Sequence, residues 1–170
     1  MFGMSPATIP RTLPLILLLM FSGSSAVSHS QATPAAKETA IMHAKGTFDV
    51  KVVPVAEDKA DGLTLGRYSL DKQYHGDLEA TAKGEMLSGG GEVKGSGAYV
   101  AVERVTGTLN RRKGSFLLAH KGTMGGGKME LSVTVVPDSG TEQLTGLSGT
   151  LNIVIADGKH SYELDYSLSQ

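Results

Sequence analysis

Three ionisable residues stand where apolar neighbours two positions away would place them on an oily strand face. Lys72 lies between Leu70 and Tyr74, Glu103 shares a face with Tyr99, Ala101 and Val105, and His120 follows Phe116 and Leu118. Burial disfavours the charged form of each, so a shared apolar interior would displace their titration in ways useful for proton transfer. A carboxylate and an imidazole within reach of one apolar ligand make an acid/base pair. With Lys72 and the Tyr99 hydroxyl they also make a set of anchors. Lys72, Tyr99, Glu103 and His120 are therefore the candidate ligand-binding residues, and no catalytic residue is assigned. Each also has a plainer, structural role open to it. The Lys72 stem can pack while its amine snorkels, and His120, near a strand end, can bond a turn carbonyl. Glu103 and Arg104 point to opposite faces, and the pattern does not settle which of them looks inward.

Other chemistries are thinner. The chain has no cysteine, which excludes disulfides, thiolate metal sites and a thiol nucleophile. His29, His43, His75, His120 and His160 are scattered without the paired spacing of a zinc or iron site, so no metal and no cofactor is expected. Gly122-Thr123-Met124-Gly125-Gly126-Gly127-Lys128-Met129 nearly spells a phosphate-cradling loop, but Met129 stands where a hydroxyl should meet magnesium. It also precedes a strand pattern, so no helix N-terminus would hold the phosphates; a hairpin tip is expected. Asp77 and Glu85 belong to polar faces. Tyr68, Tyr74, Tyr99, Tyr162 and Tyr166 are expected mainly to pack their rings and bond neighbouring backbone. The formal charge of −1 offers no basic face for nucleic acid.

The elements that must position these residues are strands. Phe48, Val50 and Val52 alternate with Thr47, Asp49 and Lys51 within His43 to Val53, and period two is the mark of a half-buried strand. Similar alternation runs through Leu63 to His75, Asp77 to Leu87, Ser115 to Gly122, Met129 to Val135, Leu147 to Ile155 and Tyr162 to Leu168. Tyr99 to Thr108 is apolar on both faces at first and is expected to be more deeply buried. The links are short and rich in turn formers: His75-Gly76-Asp77, Asn110 to Gly114, Asp157-Gly158-Lys159, and the triplets Gly89 to Gly91 and Gly125 to Gly127. One helical turn is possible around Thr141 to Leu144. Short links force antiparallel neighbours, and eight strands in sequence can close and so remove their edges. The expected fold is all-β, an eight-stranded antiparallel up-and-down barrel, with an open β-sandwich as the alternative.

Upstream, Leu13 to Phe21 is a nine-residue apolar block preceded by Arg11 and followed by small residues from Ser22 to Ser28. Such a triad describes a secretory signal peptide. It is short of the ~20 residues that span a bilayer, so no stable anchor is expected. Residues 1–28 are read as the signal, with cleavage expected between Ala26 and Ala32, and residues 29–41 as a disordered linker. Residues 42–170 are read as the barrel domain of a secreted or periplasmic protein.

Several stretches resemble an uncharacterised bacterial family: His43 to Phe48, Tyr74 to Glu79, Gly84 to Leu87, Glu103 to Leu109, Gly114 to His120 and Val135 to Thr141. The resemblance spans about Met42 to Leu168. It implies a small barrel with the fold of allene oxide cyclase, a plant lipid-cyclising enzyme, and it implies no agreed activity. Many members lack an export signal, so this chain departs from them at its amino end. Three functions compete. The first is binding of a small apolar molecule in or at the mouth of the barrel. The second is a cell-envelope interaction or self-assembling module, a homo-oligomer. The third is a cofactor-free cyclase or isomerase, which rests only on the fold resemblance and would use Glu103, His120 and Lys72 to orient a reactive substrate.

Overall fold

The computed structural model describes residues 40–169; the expected signal and nearly all of the expected linker lie outside them. Eight strands follow one another: β1 (Met42–Ala60), β2 (Leu63–Gly76), β3 (Leu78–Gly90), β4 (Gly97–Leu109), β5 (Arg112–Gly125), β6 (Lys128–Val135), β7 (Leu147–Ala156) and β8 (Lys159–Leu168). Each pairs antiparallel with the next and β8 returns to β1, closing the barrel. One 3-10 turn, Glu142–Leu144, sits between β6 and β7, where a helical turn was expected.

The turns explain the meander. Asp157-Gly158 has φ of 51° and 73°, the left-handed pair that a two-residue hairpin requires and that Asp-Gly adopts cheaply. Asp61-Gly62 repeats it at 52° and 76°. Gly126-Gly127 closes β5 onto β6, so the phosphate-loop look-alike is a hairpin tip.

Two strands depart from expectation. β1 runs on past Val53 to Ala60, because Pro54 sits at a register shift where its missing N–H breaks no regular ladder. Beyond Phe48 this stretch has lost its β8 partner and carries Lys51, Glu57, Asp58 and Lys59, charges that discourage stray pairing at an edge. β4 is not buried on both sides: Val100 and Val102 face outward at 53% and 52% exposure, while Tyr99, Ala101, Glu103 and Val105 face the lumen.

The barrel differs at its two ends. At the end holding the β2–β3 and β4–β5 turns, Leu78, Leu109, Leu144, Leu147, Leu164 and Tyr166 are all buried and form a plug. The other end is a mouth. There lumen-facing Tyr68, Met86 and Tyr99 are half-buried, and Val52, Met124, Met129 and Ile155 are open to solvent. Its wall is uneven, since β1 to β5 have 13 to 19 residues and β6 to β8 only 8 to 10.

Candidate functional site

Lys72, Glu103 and His120 all point into the lumen and meet there. They come from β2, β4 and β5, and one gap in β3 lets the first two touch. Gly84 pairs with Leu70 on one side and Glu103 on the other. A Cβ at Gly84 would lie 2.6 Å from the Glu103 Cβ and 2.5 Å from the Val102 carbonyl, so the missing side chain is the space Glu103 occupies.

Glu103 is the centre. Its Oε1 accepts from Tyr74 O–H at 2.9 Å, Lys72 Nζ at 3.0 Å and His120 Nε2 at 3.1 Å. A carboxylate only accepts, so the last bond places a proton on His120 Nε2. Lys72 Nζ is also 2.9 Å from Oε2, but off the line of a directed hydrogen bond, and Oε2 has no other partner. Burial pushes the Glu103 carboxyl up; the His120 hydrogen bond and the Lys72 and His120 charges outweigh it and hold the group below the ordinary carboxylate range. The Lys72 ammonium also lies 5.0 Å from the centre of the Phe48 ring and 5.8 Å from that of Tyr74. Such a cluster is an ionised, closely held carboxylate in a dry setting.

The structure settles the Glu103/Arg104 choice for Glu103, and Arg104 faces out. Tyr99 stands nearer the mouth, its ring over Gly122, where any Cβ would strike it. Burial and the nearby Glu103 charge push its hydroxyl pKa up, so it remains a neutral donor. Tyr74 was expected to pack and bond backbone; instead its hydroxyl is a third donor to Glu103, and burial pushes its pKa far up. Two of the other tyrosines do serve the scaffold. Tyr162 accepts from Leu78 N and donates to the His75 carbonyl, and Tyr166 accepts from Asn110. Asp77 and Glu85 are exposed, as their polar faces implied, though Asp77 also accepts the Lys45 amide at 2.9 Å. Among the described residues no three His, Cys, Asp or Glu side chains gather as a metal site would need.

An all-β closed barrel, plugged at one end and carrying a buried ionic cluster below an apolar mouth, is the class of protein that fold and site define. The chain belongs to the family described as "Protein of unknown function (DUF3224)", whose model matches residues 44–166. It is similar to the crystal structure of a protein of unknown function from that family in Shewanella oneidensis MR-1. That likeness has 45% identity and a TM-score of 0.73, and covers 77% of this chain and 99% of the other. No curated protein matches.

Proposed function

We propose that this chain is an exported binding barrel that takes a small apolar molecule at its mouth. Tyr99, His120 and Lys72 orient the ligand's polar end, and Glu103 holds His120 and Lys72 in place. The observation that carries this reading is the gradient along the lumen. Apolar Val52, Met124, Met129 and Ile155 are exposed at the rim, above a fully buried and ionised Glu103. Exposed apolar side chains converging on a few fixed polar groups are the usual make-up of a ligand site. A carboxylate already held by three donors, with a lowered pKa, is a poor proton acceptor at neutral pH, which favours orientation over acid/base catalysis.

Native mass spectrometry of the mature chain purified from its own compartment tests this, alongside titration with the apolar dye N-phenylnaphthylamine. A co-purifying small molecule or saturable dye binding that weakens in Tyr99→Ala supports it. Absence of both counts against it. Export is tested by N-terminal sequencing of the fractionated protein, with a new terminus expected between Ala26 and Ala32.

Self-association is a second reading, favoured by an apolar strip on the outer face of β3 and β4, where Leu87 is 55% exposed beside Val100 and Val102. Sedimentation of the mature chain as a strict monomer at high concentration would exclude it.

A further inference from the structure

The barrel is closed at seven seams by extended ladders, or by the seven-pair ladder between β1 and β8, and at the eighth by almost nothing. β6 and β7 share a single pair, Thr134↔Thr150, whereas β5 and β6 are paired from Leu118↔Val135 to Gly125↔Lys128 and β7 and β8 along their full lengths. Continuing the one observed pair would set Ser132 against Asn152, Leu131 against Ile153, Glu130 against Val154 and Met129 against Ile155. None of these pairs forms. Toward the mouth, therefore, β6 and β7 face each other with backbone donors and acceptors that no ladder satisfies, a state natural sheets normally avoid.

The two sides of this weakly paired seam are oily on the lumen side. Met129 and Leu131 come from β6, Ile153 and Ile155 from β7; Met129 is 49% and Ile155 57% exposed, while Leu131 and Ile153 pack against the core. Of the outward positions, Glu130, Ser132 and Asn152 are polar and Val154 is an exposed valine. The seam also falls in the low part of the wall.

We propose that the β6–β7 seam is a lateral portal, through which an apolar ligand slides sideways between Met129/Leu131 and Ile153/Ile155 into the lumen. The seam zips toward Thr134↔Thr150 when the ligand is in place. This rests on the binding reading above and adds a route to it. Backbone pairing that is absent at rest costs little to part further, so the seam is the softest place in the wall.

The natural absence of cysteine makes the test clean. In the Ser132→Cys/Asn152→Cys double variant, oxidation staples the seam; Ser148→Cys/Ser167→Cys staples the already paired β7–β8 seam as a control. Stopped-flow association of N-phenylnaphthylamine with the oxidised β6–β7 variant should slow at least about tenfold, recover fully on reduction, and be untouched in the control. Equal rates in the oxidised and reduced forms would overturn the portal, as would failure of the two cysteines to pair under oxidant, since the rims then do not meet. Hydrogen exchange of the unmodified chain needs no ligand. Within residues 129–133 and 152–156, the amides that point across the seam, not those in the β5–β6 or β7–β8 ladders, should exchange by local opening, well ahead of β4 and β5. Protection equal to that of β4 overturns the portal even if the dye never binds, whereas loss of dye binding alone, with fast exchange at the seam, removes only the binding reading.

Discussion

Replacing Lys72 with methionine keeps the stem that packs beside Phe48 and deletes the charge beside Glu103. The ammonium stands 2.9 Å from a carboxylate whose side chain has no solvent exposure. At that separation, with an effective dielectric of about 20, the attraction is about 6 kcal/mol, much of it offset by the desolvation of both ions. Losing one partner strands the other, and the net loss for a buried pair is about 3–5 kcal/mol. In a urea titration at about pH 8 that becomes a midpoint lower by roughly 2 M, given slopes of about 1–3 kcal/mol per molar. The sign of the pH dependence follows from the carboxyl. In the parent its pKa is lowered, so its contribution is present above the unfolded value of about 4.3 and is lost as pH falls through the folded one. In Lys72→Met, burial still raises the folded pKa and the His120 bond still lowers it, but the Lys72 charge no longer does, so the folded pKa lies above the parent's and the gap between parent and variant widens as pH climbs from about 4. Lys72→Met/Glu103→Gln should recover most of the loss, since no stranded charge remains. A constant gap below about 1 kcal/mol from about pH 4 to about pH 8 would refute the buried ion pair altogether.

Three further outcomes are expected. Gly84→Ala should cost about 1–3 kcal/mol in urea unfolding, since the new methyl meets Glu103 and the Val102 carbonyl, whereas Gly125→Ala, with only Ser96 Oγ at 3.9 Å, should change stability by less than about 0.5 kcal/mol. Tyr74→Phe removes one of three donors from the Glu103 oxygen and should lower stability by about 1.5–3 kcal/mol in thermal or urea unfolding. Glu103→Gln should flatten the acid limb of the stability profile below about pH 4, because the group whose folded pKa is depressed is gone; an unchanged limb would place acid sensitivity elsewhere.

Alternation made the barrel legible. In Phe48-Asp49-Val50-Lys51 or Met129-Glu130-Leu131-Ser132 every second residue belongs inside, and turns such as Asp157-Gly158 leave antiparallel pairing as the short way back. The same rule placed Lys72 and His120 on inward faces, because a charged residue two positions from its apolar neighbours shares their direction; between Glu103 and Arg104 it left the choice open, since Val100 and Val102 make the opposite face of β4 apolar too. Periodicity fixes direction but not height around a tilted barrel, so it could not say that Lys72, Glu103 and His120 meet. Tyr74 was missed as a partner although it shares the Lys72 face two positions on. Gly84, a lone glycine within a strand pattern, was the available signal for a close approach. Val100 and Val102 misled for a physical reason: outward valines favour strand geometry whether or not anything covers them. The nearly unpaired β6–β7 seam was invisible, since both strands carry ordinary strand sequences and the missing pairing exists only in how they are set against each other.

Solid at its base and open at its rim, the barrel divides its labour in a way that bears on how it can change. Leucines and tyrosines at the base secure the shape, while Met124, Met129 and Ile155 at the rim contribute little to it. Exchanges at the rim can therefore alter the surface that the open end presents without endangering the fold, so a chain that keeps this base tolerates change at Met124, Met129 and Ile155.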